Sequence, residues 1–154
     1  MHRLGLTSLI LTVTLVGCDN SLDSIDGHHL GKPESVIFGS NDSGHTMLVM
    51  SDLPNLCEAV RSADPPERND FWVLSTWTHV DAETPDRYVV DSFAAITDNG
   101  AVHEYTTESG HVHIFSNDIG FIKADVDLHF PTGDTVSAEV EGRHCDTNLF
   151  VGLR

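Results

Sequence analysis

Two stretches near the end of the chain constrain the fold more than any other feature. Ile122, Ala124, Val126, Leu128 and Phe130 alternate with Lys123, Asp125, Asp127 and His129. Val136, Ala138 and Val140 then alternate with Ser137, Glu139 and Glu141. A period of two places every apolar side chain on one face of a strand. Between the two runs lies Pro131-Thr132-Gly133, and a three-residue loop ending in glycine suits a type I turn with a G1 bulge. That loop sets Leu128 opposite Val136, Val126 opposite Ala138, and Ala124 opposite Val140. Each inward pair is apolar, so one face of this hairpin is buried and the other is wet.

The rest of the chain reads as more of the same. Ser35–Phe38 and His45–Met50 are short apolar runs, parted by the polar loop Gly39–Gly44. Phe71–Val80 and Tyr88–Ile96 are aromatic and β-branched, divided by the polar Asp81–Arg87 loop. Asp98-Asn99-Gly100 signals a tight turn into Ala101–Thr106, and Glu108-Ser109 is expected to turn that strand back into His111–Phe115. One short helix is expected near residues 53–62: Asp52 as its cap, Pro54 in the first turn, and Leu53, Leu56, Cys57 and Val60 on one face. The expected class is therefore all-β, a mainly antiparallel sandwich or small barrel carrying one short α-helix.

Composition narrows the partners. Eight Lys and Arg stand against 24 Asp and Glu, for a formal net charge of −16. So acidic a surface repels phosphate backbones, and no nucleic-acid partner is expected.

The N-terminus carries an address. Met1-His2-Arg3 is followed by an uncharged apolar stretch, Leu4–Val16, too short to span a bilayer as a helix. It ends in Leu15-Val16-Gly17-Cys18, which resembles the lipobox of bacterial lipoproteins. That resemblance implies a signal peptide over residues 1–17, acylation of Cys18, and a chain anchored by covalent lipid to the inner or outer membrane of a cell envelope, its domain facing the periplasm. Residues 18–33 are then expected to be the lipidated cysteine and a flexible tether, and residues 34–154 the folded domain.

With Cys18 given to lipid, Cys57 and Cys145 remain. An even pair in an exported domain usually oxidises, here joining the helix to the end of the last strand. A metal pair or a reactive thiol are the alternatives, but there is no Cys-x-x-Cys motif to favour them. The segment from Thr46 through Asp52-Leu53-Pro54-Asn55-Leu56-Cys57, with Gly133-Asp134-Thr135-Val136 and a final Cys145, resembles small lipoproteins of myxobacteria and related groups. That resemblance implies a fold and a location, not an activity.

Chemistry-bearing constellations are sparse. His111 and His113 alternate on one strand, and a turn at Glu108-Ser109 would bring Glu104 opposite His113. Two imidazoles and a carboxylate make a candidate Zn²⁺ or Cu²⁺ set, although His-x-His without a fixed third ligand far more often marks a wet face, here behind an inward Val112 and Ile114. Asp125 opposite Glu139 reads as solvated acidic surface, partly relieved by Lys123 opposite Glu141. No Gly-x-Ser-x-Gly elbow and no His-Glu-x-x-His motif occurs. The leading expectation is a membrane-anchored binding or scaffolding protein that uses no cofactor beyond its lipid and meets an envelope protein partner. The alternatives are a periplasmic divalent-metal-binding protein, then a hydrolase.

Overall fold

The structure is a computed structural model that describes residues 22–40, 45–62, 68–79 and 86–145. The leader, Cys18, the segment after the helix and most of the Asp81–Arg87 loop lie outside the described residues. In order, the chain forms β1 (Leu22–Ile25), β2 (His28–Gly31), β3 (Ser35–Ser40), β4 (His45–Ser51), α1 (Leu56–Ser62), β5 (Phe71–His79), β6 (Asp86–Asp98), β7 (Ala101–Thr106), β8 (Ser109–Asp118), β9 (Phe121–His129) and β10 (Thr135–His144). Among the described residues the protein is β-rich with one short helix. No helix among the described residues is long and apolar enough to cross a membrane.

The last hairpin adopts the register expected of it. Leu128 pairs with Val136, Val126 with Ala138, and Ala124 with Val140. The Gly133 amide bonds the Phe130 carbonyl, and Gly133 takes a φ of 90° that a glycine adopts freely. At the β6–β7 turn, Asn99 and Gly100 have φ of 49° and 79°, the two positive values of a type I′ hairpin.

Eight strands form one curled sheet in the order β5-β4-β3-β10-β9-β8-β6-β7, and β6 also pairs with β5. The curl is a half-barrel with two thin seams. β10 meets β3 only at Arg143–Ile37 and His144–Phe38, and β6 meets β8 only over Asp86–Tyr88. The β3–β10 contact is parallel, a departure from an otherwise antiparallel sheet. At that seam Gly142 is needed for close approach, since a Cβ there would come within 2.9 Å of Ile122 and 3.1 Å of Val36.

β7 does not turn back into β8. Asp98 pairs with Ala101, Phe93 with Thr106 and Tyr88 with His111, one unbroken register along a single edge of β6. The Thr107 amide bonds the Ser92 carbonyl between those stretches, so β7 runs on into β8. The turn expected at Glu108-Ser109 is thus absent, because neither residue takes the positive φ of a tight hairpin.

Residues 22–31 correct a second expectation. They are not tether but a hairpin, with Asp26 and Gly27 at φ of 50° and 79°. Leu22, Ile25 and Leu30 are buried in the main core with Trp72, Ile96 and Phe130. Trp72 Nε1 donates to the Leu30 carbonyl at 2.6 Å, Tyr105 Oη to Asp26 at 3.2 Å, and the Asp26 amide to Asp134 at 2.8 Å. The domain therefore begins by Leu22, not Glu34.

A smaller cluster lies on the other face of the sheet. Met47 and Val49 of β4 join Ile37, Leu53 and Leu56 there, while Leu48 and Met50 enter the main core. That double burial explains why His45–Met50 reads as a continuous apolar run. α1 begins at Leu56, with the Glu58 and Ala59 amides on the Asn55 carbonyl. Asp52 is not its cap: its carboxylate instead takes the Trp72 amide at 2.8 Å and Arg68 at 3.1 Å. Cys57 and Cys145 bring helix and last strand together, with Sγ atoms 1.97 Å apart and Cα atoms 5.7 Å apart, the spacing of a disulfide.

Two outcomes follow for the N-terminal hairpin. Ile25→Ala should cost about 2–5 kcal/mol in urea unfolding, as buried aliphatic truncations do, whereas a tether residue would cost almost nothing. Asp134 is held below its ordinary pKa by the Thr132 hydroxyl and the Asp26 amide. A lowered carboxyl contributes stability that is complete at neutral pH and lost as pH falls through the lowered value. The protection factor of the Asp26 amide, its exchange measured against the intrinsic rate at each pH, should therefore fall on acidification below the ordinary carboxylate range, and Asp134→Asn should flatten that response.

Candidate functional site

A groove of about 550 Å³ opens where three distant stretches converge. β3 supplies its floor through Ser35, Val36 and Ile37, the start of α1 supplies one wall, and the end of β10 supplies the other. It exists because β10 touches β3 over only two residue pairs, while Leu56 seats the helix beside them. Its volume falls in the range of small-ligand clefts. Its rims mix signs: Glu34, Glu58 and Glu141 against Arg61, Arg143 and His144.

Several of those charges are already engaged. Glu141 pairs with Lys123, whose pKa that contact raises. The Arg143 guanidinium lies 5.7 Å from the centre of the Phe121 ring, and the His144 ring meets Phe38 edge-on at 5.3 Å. Cys57, at the groove wall, is held against Cys145 and offers no thiol. The groove can therefore receive a polar or zwitterionic group.

The expected metal set does not assemble. Glu104 pairs across from Ala95 on β6, while His113 pairs across from Asp125 on β9. The missing Glu108-Ser109 turn is the cause, since β7 and β8 lie end to end rather than side by side. His111 and His113 do share the wet side of β8, with Val112 buried behind them. Among the described residues no group of three or more His, Cys, Asp or Glu is arranged to hold a metal ion.

What the register does bring together was not expected. His111 pairs across from Asp127, and Asp127 across from Ser137. Asp127 accepts a hydrogen bond from Ser137 Oγ at 2.8 Å, and its other oxygen lies 3.9 Å from His111 Nδ1 and 3.7 Å from His129 Nε2. The order is Ser–Asp–His, so the serine donates to the carboxylate and gains no base; the carboxylate is held by its neighbours on the sheet surface and no hydrolytic triad is formed. The β8–β9 register that sets His111 across from Asp127 shifts between Ile114 and Ser116, so the turn after Asp118 does not by itself signal the pair.

A further polar zone lies inside the sheet. Thr46, Thr76, Thr78 and Ser92 are all buried. Thr78 Oγ1 donates to the Thr46 carbonyl and Ser92 Oγ to the Ser75 carbonyl, but Thr76 Oγ1 has no hydrogen-bond partner among the described residues.

Compared with protein-family models, with curated proteins and with solved structures, the chain matches none. Function must therefore be argued from its own residues.

Thr76 yields a direct test of whether the interior is structural. Thr76→Val keeps the shape and removes the orphan hydroxyl, so it should stabilise the fold by about 0.5–1.5 kcal/mol. Thermal unfolding reads this out, and a destabilised variant would mean that the hydroxyl is satisfied in solution.

Proposed function

We propose that this chain is a cell-envelope lipoprotein, anchored through acylated Cys18 after loss of residues 1–17, whose β domain binds or scaffolds rather than catalyses. The supporting observation is the fate of the three cysteines. Cys57 and Cys145 stand at disulfide distance, which leaves Cys18 as the sulfur without a partner among the three. Cys18 is also the residue that closes Leu15-Val16-Gly17-Cys18. An oxidised pair belongs to an exported protein, in keeping with such a leader.

The N-terminal hairpin alters the geometry of that anchor. Leu22 is fully buried only four residues after Cys18, and four residue steps span at most about 14 Å. The hairpin end of the domain thus rides close against the headgroups instead of swinging on a long tether. With a net charge of −16 the protein gains nothing electrostatically from an anionic surface, so attachment depends on the acyl chains. The β8–β9 turn lies at the opposite end of β9 from Asp134 and the hairpin, about 30 Å away along nine residues. There Ile119 is fully exposed and Phe115 and Phe121 are half exposed, an apolar tip at the far end of the sheet from the N-terminal hairpin, which supports a binding role.

Cys18→Ser should leave uncleaved precursor, with intact mass reporting retained residues 1–17 and no acyl groups, whereas the wild-type protein should leave the membrane only with detergent. A wild-type protein that is soluble and of unmodified mass would overturn the anchor. Alkylation should label Cys57 and Cys145 only after reduction; free labelling would overturn the oxidising location.

A further inference from the structure

One row of backbone groups along the β7–β8 edge loses its partner strand part-way. The Thr107 amide bonds the Ser92 carbonyl at 3.2 Å. In antiparallel pairing the bonds alternate, so odd-numbered residues from 101 to 107 turn their N–H and C=O toward β6, and even-numbered ones turn theirs away. At Glu108 the outward row meets β9: its amide bonds the His129 carbonyl at 2.8 Å. Beyond that point β9 is gone, because Phe130–Gly133 turns the chain back into β10. Val102, Glu104 and Thr106 therefore hold out their N–H and C=O groups along an edge that no described strand covers, at the end of the sheet order.

The edge carries one charge, Glu104, but none of the stronger blocks to strand pairing. Ala101–Thr106 contains no Pro, Lys or Arg, and the β6–β7 register has no bulge. Tyr105 and His103 are engaged over one face, by Asp26 and His28, and this leaves the edge itself open.

We propose that this edge is a strand-addition site for an extended peptide carrying a Lys or Arg opposite Glu104. Main-chain bonds to Val102, Glu104 and Thr106 supply the affinity, as in other cases of β-augmentation. Charge selects the occupant: Asp98 to Glu108 holds the carboxylates Asp98, Glu104 and Glu108 and no Lys or Arg. A second copy of the chain is disfavoured, because the two-fold pairing that uses all three outward residues sets Glu104 against Glu104, and directly opposed like charges destabilise a sheet. Val102, 60% exposed beside Glu104, offers an apolar contact to the flanking positions of the incoming strand.

The test uses the intact chain and two capped heptapeptides, Thr-Val-Thr-Lys-Thr-Val-Thr and its twin with Glu at the centre. Residue-resolved amide exchange at Val102, Glu104 and Thr106 is the readout. The Lys peptide should slow exchange there by about tenfold or more when saturating, and should bind about fivefold more tightly than its twin. Glu104→Lys should reverse that preference. Glu104→Pro removes only an outward N–H and should abolish the protection at Val102 and Thr106, while His103 and Tyr105 stay protected by β6. The proposal fails if these amides are already protected in dilute free protein, which would mean that the chain covers its own edge. It fails equally if protection rises with protein concentration alone, the mark of self-association, or if neither peptide changes it.

Discussion

Strand β6 holds the sheet in its curled form, because both of its edges are used. One edge pairs with β5 from Phe71–Thr97 to Thr78–Val89, and the other with β7 and β8 in a single register. Without the first pairing the sheet would be an open ribbon, and the apolar face of the β9–β10 hairpin would meet water. A register shift at Trp77–Thr78 interrupts the β5–β6 ladder, and such irregularities bend the strand that carries the extra residue. The curl in turn creates the interior that the hairpin of residues 22–31 closes at one end, through Leu22, Ile25 and the Trp72–Leu30 bond.

The parts of this fold legible in the sequence are those decided by neighbours. The β9–β10 register follows from a glycine-ended loop and an alternation, both local, and the Asn99-Gly100 turn follows from two residues that accept positive φ. The same chemistry was available at Asp26-Gly27, where Leu22, Ile25 and Leu30 flank an Asp-Gly pair. Polar, turn-rich composition outweighed it there, although two strands of four residues bury three aliphatic side chains. At Glu108-Ser109 polar residues suggest a reversing turn, yet the chain only bends at Glu108 and passes from β7 into β8, because β6 is long enough to pair on both sides of it.

Sites fared worse than elements, for a physical reason. The groove beside α1 is assembled from residues 34–37, 54–61 and 141–144, whose proximity depends on the parallel β3–β10 seam. Nothing in any one of those stretches signals a parallel contact of two residue pairs. The Glu104–His113 pairing rested wholly on a turn that does not form, so one misjudged dipeptide displaced the carboxylate to the far half of β6. The Cys57–Cys145 approach was legible because a count of cysteines requires no geometry.

The acidic surface is arranged rather than merely abundant. Asp125 faces Glu139 across β9 and β10, a pairing that by itself weakens the hairpin. One step along, Lys123 meets Glu141 and its raised pKa keeps it charged across the neutral range. One step the other way, Asp127 is supported by the Ser137 hydroxyl and lies between His111 and His129. Repulsion is thus confined to one rung, bracketed by rungs that relieve it, and the apolar pairs behind it carry the hairpin. The edge at Val102–Thr106 has no comparable relief among the described residues: Glu104 faces Ala95 on its own sheet and no described strand on the other side. Acidity that the fold compensates elsewhere is left there to be matched from outside.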